Sequence, residues 1–338
     1  MELKQLRKMN TETIKHNKSK QYKTHKVRQT SQKASTHVVK EDRVVPKNVV
    51  IETVFGCNAK CIMCPIEMPA KRKKGVMSSV LFKRIIDELA PYYQQIDQID
   101  LFGVGEPLLD KGLPDKVKYA KEKGFQDVGL ATNADLLEKG TAYKLFEAGL
   151  DTIMISIDGI TAEVHEGIRV NTSFERVIKN VKKALALRNE CNYQTKFVFR
   201  FIRQSYNKHQ WFGFKEYWIP LITKPKGDLI IGYNMHSWGG EIEVQKGPSY
   251  KPIPGHVACH HLFDRIIILR DGTIPLCCAD MHHANYALGN VKNGPLMEIY
   301  NNSIINEIRK RHQAGDRLDL DICADCTVLE SEMSKDVI

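Results

Sequence analysis

Apolar and polar positions alternate along the chain in a repeating order of short β-branched runs and amphipathic helical stretches. Val49 to Val54 is β-branched and predicts a buried strand. Ser78 then fits an N-cap for a helix carrying Leu81, Ile85, Ile86 and Leu89 on one face, stopped by Pro91. Ile96–Phe102 reads as a strand and Gly112–Glu122 as a helix ended by Gly124. Val128–Thr132 is the next strand, and Leu136–Ala148 the next helix, closed by Gly149. Thr152–Ile157 is a strand. Phe174–Arg188 is a long helix with Val177, Ile178, Val181, Ala184 and Leu185 on one side. Lys196–Ile202, His209–Trp218 and Asp228–Tyr233 continue as strand, helix and strand. Six such units predict parallel strands joined by crossover helices, as an open sheet or a barrel. Farther on, Asp271-Gly272 lies between Ile266–Leu269 and Ile274–Leu276, which reads as a β-hairpin with Cys277 at its end.

The chemistry stands out against this frame in a loop after the first strand. Cys57, Cys61 and Cys64 fall within eight residues. A closed structural zinc or iron–sulfur site takes four protein ligands. Three thiolates leave a position open, the arrangement of a reactive metal site; a zinc knuckle completed from elsewhere is the alternative. A second set follows the alternating region: Cys259, Cys277, Cys278, Cys323 and Cys326. The pair Cys323-Ala324-Asp325-Cys326 has metal-knuckle spacing. Cys259, Cys277, Cys323 and Cys326 would close a four-iron, four-sulfur site, with zinc as the rival metal. Cys278 is expected to point away from Cys277 on a strand and so not to ligate. Cys191 stands alone.

The three-then-two spacing of Cys57, Cys61 and Cys64 resembles the signature of the radical S-adenosylmethionine (radical SAM) enzymes. The resemblance extends to the expected strand ends. Gly103-Val104-Gly105-Glu106-Pro107 is similar to the family's Gly-Gly-Glu-Pro motif, with Val104 as a departure. It implies that Gly105 and Glu106 receive the methionyl amine. Asn133, Ser156 and Asp158 look like family positions near the ribose and methionyl carboxylate, and Arg169 like the Arg that grips a carboxylate. The implied fold is α/β: a partial (β/α)6 radical SAM barrel followed by a small α+β SPASM/twitch domain, the second cysteine set resembling the latter. The implied cofactors are two 4Fe–4S clusters and S-adenosyl-L-methionine. In that family one cluster electron cleaves the sulfonium, and a 5′-deoxyadenosyl radical removes hydrogen from the substrate.

The expected substrate is small and polar, a sugar or aminocyclitol alcohol oxidised with the second cluster as electron acceptor. A flavodoxin- or ferredoxin-type protein is the expected electron donor. Arg200, Arg203, His236 and Cys278 are candidate catalytic residues, placed near the last strands. Radical epimerisation, with Cys278 or Cys191 returning hydrogen, modification of a ribosomally made peptide, and a non-catalytic metal- or RNA-binding protein are the competing readings.

Charge changes the picture at one end only. The net charge is +10, and residues 1–47 hold thirteen Lys and Arg against four acids. Residues 1–46 therefore read as a basic tail with scarcely an apolar side chain to bury, expected to be disordered. Tyr22 is its one aromatic residue, so a base-stacking platform is missing and nucleic acid is not an expected partner. The barrel is expected over 47–240 and the cluster domain over 250–330. Nine cysteines at short spacings argue for metal ligation over disulfides, hence a reducing cytoplasm. Neither a membrane span nor a secretory signal is read from the chain.

Overall fold

The computed structural model describes residues 43–244 and 250–338. The expected basic tail thus lies, for residues 1–42, outside the described residues. The main sheet contains β1 (Asn48–Ile51), β2 (Gln98–Asp100), β3 (Val128–Thr132), β4 (Thr152–Ser156), β5 (Lys196–Arg203), β6 (Leu229–Asn234), β7 (Arg265–Ile268) and β8 (Asp336–Val337). Its order is β7-β1-β2-β3-β4-β5-β6-β8. β1 to β7 run parallel and β8 is antiparallel on β6. The two edges do not pair with each other, so the sheet is a partial barrel.

The longer helices are α1 (Ser79–Leu89), α2 (Leu113–Glu122), α3 (Lys139–Glu147), α4 (Ala162–Ile168), α5 (Phe174–Glu190), α6 (Trp211–Trp218) and, in the C-terminal region, α7 (Ser303–Ala314). Ser78 caps α1 by accepting the Leu81 amide. Leu81, Phe82, Ile85, Ile86 and Leu89 then face the sheet, and burying each contributes about 1.5–3 kcal/mol before ordering costs. α4 was not expected from the pattern; its N-cap Thr161 accepts the Val164 amide.

Strand parity divides the core. Val49 and Ile51 pack under the helices, whereas Val50 turns inward with Phe55, Ile66, Val104, Ile267, Leu269 and Met281. On β5, Phe199 and Phe201 pack on Trp211, Phe214 and Trp218 of α6, and Phe197 packs on Phe146 of α3. A buried ion pair closes the lower end. Both guanidinium nitrogens of Arg188 donate to Asp228 at 2.8 Å, whose oxygens also accept the amides of Phe197 and Thr223.

The expected hairpin is corrected. Residues 265–268 join the main sheet beside β1, and Thr273–Ile274 pairs instead with Gly289–Asn290. Ile266, Ile267 and Ile268 are all buried, so the strand is covered on both faces, as an added parallel strand requires. Gly272, at φ +91°, makes the turn between the segments.

Candidate active site

The three-cysteine loop is held at both ends. Beyond β1, Val54–Phe55 pairs with Gly75–Val76, and Lys60–Cys61 pairs antiparallel with Arg169–Val170. Gly105 bridges to Gly56, and the Glu106 amide donates to the Gly56 carbonyl at 2.9 Å. A Cβ on Gly105 would meet the Val54 carbonyl oxygen at 2.3 Å, so only glycine allows this approach. Glu52 underpins the loop. Its buried carboxylate pairs with Arg72 and accepts the amides of Val104 and Arg270.

Glu106 is buried. One oxygen accepts the Thr132 hydroxyl at 2.7 Å and the Leu108 amide at 3.1 Å; the other accepts the Asn133 amide at 2.9 Å. Burial raises its pKa despite these bonds. Asn133 donates to Asn58 at 2.9 Å and to the Cys57 sulfur at 3.8 Å. Ser156 accepts from Arg200 at 2.7 Å. Asp158 accepts the Ile202 amide and lies 2.7 Å from the Arg169 guanidinium, which also reaches the Cys61 sulfur at 3.7 Å. The structure therefore brings Gly105, Glu106, Asn133, Asp158 and Arg169 around the three cysteines, with Ser156 linked to them through Arg200. Asn58 and Glu52 were not singled out from sequence; neither has a spacing signal.

The donors fit an iron–sulfur cluster. Cys57, Cys61 and Cys64 are free thiols near enough to feel one another's charge. Burial pushes Cys57 and Cys64 up to about 12 and raises Cys61 as well. Three such sulfurs ionise together only if cations sit among them.

The second set converges too. Cys259 and Cys277 each sense the charges of Cys278, Cys323 and Cys326, and burial raises all five thiols. Cys278 begins a 3-10 turn over Cys278–Asp280, not a strand as expected. Asp280 fixes that turn by accepting the amides of Leu276, Asn285 and Tyr286. Cys277, Cys323 and Cys326 pack against the main core, whereas Cys278 packs against the small inner apolar group, as Cys57 and Cys64 do. Cys278 thus lies between the two sets. His312, also unforeseen, is fully buried; its Nδ1 accepts the Cys259 amide at 3.2 Å and its Nε2 is 3.6 Å from the Cys323 sulfur. Because Nδ1 accepts, Nε2 carries the hydrogen and points it at sulfur.

Charged and polar side chains link the two sets electrostatically. Arg200 is drawn on electrostatically by Arg169, Asp158, Tyr233 and Cys61, and His236 by Arg200, Glu332 and His261. Burial first, then Arg200, pushes His236 down to about 4. Cys278 senses Arg265 and Glu332. Arg203 is not part of this group. It donates to Asn234 and to the Ser334 carbonyl, and sits over Trp211. The reason is parity: Arg203 shares the helix-facing side of β5 with Phe201, and Arg200 points to the other. Cys191 is exposed at the end of α5, apart from both sets.

Comparison with known proteins gives a consistent answer. A model of the radical SAM superfamily matches residues 51–195, and one of the SPASM iron–sulfur cluster-binding domain matches residues 259–327. A Fe-coproporphyrin III synthase of Methanosarcina barkeri is 33% identical over 130 residues, 38% of this chain and 32% of that protein. A probable GTP 3′,8-cyclase of Methanococcus maripaludis is 34% identical over 129 residues, 38% of this chain and 42% of that protein. The matching stretch thus spans less than half the length of these relatives. Among solved structures, BtrN in complex with AdoMet and 2-DOIA superposes with TM-score 0.57 at 18% identity, covering 83% of this chain and 93% of that one. Streptococcus suis SuiB bound to S-adenosylmethionine gives 0.60 at 16% identity, covering 85% and 72%. At such identities the likeness is one of fold.

Proposed function

Because the chain belongs to the radical SAM superfamily and carries a SPASM-type iron–sulfur domain behind its barrel, we propose that it oxidises an alcohol of a small polar molecule, such as a sugar or aminocyclitol. Two 4Fe–4S clusters held by the cysteine sets, one of them with S-adenosylmethionine on its open iron, would supply a hydrogen-abstracting 5′-deoxyadenosyl radical and a sink for the remaining electron, the hydroxyl proton leaving to solvent as carbinol becomes carbonyl. The observation that carries the reading is the presence of two half-buried cysteine sets in one fold, with Arg200, Tyr233, His236, Arg265 and Glu332 near enough to feel one another's charge and those of Cys61 and Cys278.

The chain's own residues do the positioning. Cys57, Cys61 and Cys64 hold one cluster; Cys259, Cys277, Cys323 and Cys326 hold the other. Glu106, oriented by Thr132 and two amides, accepts the methionyl ammonium. Arg169, braced by Asp158, faces the carboxylate end, with Asn133 and Ser156 nearby. Arg200 and His236 hold substrate hydroxyls and keep the reacting carbon in line. A flavodoxin- or ferredoxin-type protein delivers the electron.

Cys278 favours a second reading. Its thiol is pushed up to about 12, chiefly by burial, and it packs in the same apolar group as Cys57 and Cys64. A protonated thiol there would return a hydrogen atom to the substrate radical, the thiyl left behind taking one electron from the second cluster and one proton from solvent, which makes the enzyme an epimerase. Incubation of reconstituted protein with a panel of sugars and aminocyclitols separates the readings. Oxidation gives one 5′-deoxyadenosine per product two hydrogens lighter. Epimerisation gives product of unchanged oxidation state that carries solvent deuterium, abolished in Cys278→Ala. No substrate-dependent 5′-deoxyadenosine with any polyol would remove both.

A further inference from the structure

Among the described residues outside the two cysteine sets, Glu241, His282 and His283 are gathered as though for a ligand. Glu241 lies in the loop after β6, and His282 and His283 lie in the turn after Cys278–Asp280. One ligand atom from each falls within 4.8 Å of the others. His282 Nδ1 is 3.3 Å from His283 Nε2 and 3.7 Å from one Glu241 oxygen; His283 Nε2 is 3.6 Å from the other. Two imidazoles and a carboxylate bound to one tetrahedral zinc, with bonds near 2.0–2.2 Å, stand about 3.3–3.5 Å apart. The observed separations are within a few tenths of an ångström of that.

Hydrogen bonding does not account for the arrangement. The two carboxylate contacts are too long for hydrogen bonds. One Glu241 oxygen and His282 Nε2 are buried with no hydrogen-bond partner. His282 is fully buried, its ring 6.1 Å from that of Phe55. A carboxylate with one buried, unpartnered oxygen beside two imidazoles that touch only each other, at 3.3 Å, is costly unless something binds the group. Burial keeps both imidazoles neutral, the ligating form, with His282 pushed down to about 3.

Other charges near the group are Arg72, Lys71 and Asp280. Arg72 oppose a cation, but it is already paired with Glu52 and donates to the Met281 carbonyl. The loop that carries Glu241 is also tied to both cysteine sets. Trp238 Nε1 donates to the Met63 carbonyl at 3.0 Å, and Ser237 exchanges hydrogen bonds with Thr327 beside Cys326.

We propose that Glu241, His282 and His283 form a third metal site, for one divalent transition-metal ion of the zinc or iron(II) class, with a coordination position left open. Three protein ligands with a free fourth position distinguish a reactive or substrate-binding ion from a structural one. The site stands on its own geometry and does not depend on the oxidation reading.

The test uses holoenzyme with both cysteine sets loaded, dialysed against zinc buffered by a competing chelator. Metal analysis should find about one zinc per chain beyond about eight irons. Glu241→Gln and His283→Ala, both at partly exposed positions, should each weaken zinc binding on the order of 100-fold while iron stays unchanged. X-ray absorption at the zinc edge of the wild-type holoenzyme should show nitrogen and oxygen neighbours. Absence of tight zinc in the wild type, equal retention in both variants, or sulfur around the zinc would each overturn the proposal. The wild-type absorption measurement decides even if a variant does not fold.

Discussion

Replacing Arg169 by Met is expected to cost the fold more than a surface charge would, and by an amount the neighbourhood sets. Arg169 and Asp158 lie 2.7 Å apart with side chains 7% and 0% exposed. The Asp158 carboxylate otherwise accepts the Ile202 amide, at its other oxygen. Removing one member of a buried pair leaves an uncompensated charge and costs about 3–5 kcal/mol. At roughly 2–4 °C per kcal/mol for a barrel of this size, the melting temperature of metal-free Arg169→Met should fall by about 6–20 °C. Asp158→Asn in the same chain removes the orphaned charge. The double variant should therefore recover part of the loss, with a coupling of about 0.5–3 kcal/mol in a double-mutant cycle. Calorimetry on the four proteins gives all the terms. A single-variant loss below about 1 kcal/mol, or zero coupling, would refute the reasoning, because the pair would then behave as exposed charges do.

Two other predictions follow from buried polar groups. Asp100, on the barrel-facing side of β2, is pushed up to about 7, chiefly by burial. A carboxyl raised above its unfolded value of about 3.9 contributes stability that is present below about pH 4 and lost as pH rises through about 7. Asp100→Asn should thus gain on the wild type between those limits in denaturant titrations, and a pH-independent difference would count against the assignment. His312 points its Nε2 hydrogen at the Cys323 sulfur. His312→Leu should make the second cluster harder to reduce, by roughly 40 mV if the bond favours the reduced state by about 1 kcal/mol. A spectroscopic redox titration reads this, and an unmoved potential would limit His312 to packing.

Much of this was legible in the chain because it depends on local pattern. The spacing of Cys57, Cys61 and Cys64 keeps three sulfurs on one loop whatever lies around them. The alternation from Val49 to Tyr233 predicts parallel strands because each unit has its own apolar face. Ser78 was readable as a cap for the same reason. What failed was non-local. Ile266–Leu269 is equally apolar as a hairpin arm or as an inner parallel strand, and only β1 beside it decides. Arg200 and Arg203 look alike in sequence, yet an odd offset along β5 sends them to opposite faces. The apolar run before Cys278 reads as a strand, but Asp280 turns the chain there. α4 has few apolar positions, Val164 and Ile168 among them, too few to announce a helix. His312, Glu241, His282 and His283 gain their meaning from partners remote in the chain, which spacing does not encode.

Among the described residues no helix is long and apolar enough to cross a membrane.

The most direct measurement is electron paramagnetic resonance of the reduced, anaerobically reconstituted chain carrying Cys323→Ala and Cys326→Ala, so that the cluster at Cys57, Cys61 and Cys64 is seen alone. Addition of S-adenosylmethionine should change the g-values of that signal, since three protein thiolates leave one iron for the cofactor's amine and carboxylate. An identical spectrum with and without S-adenosylmethionine would contradict the account.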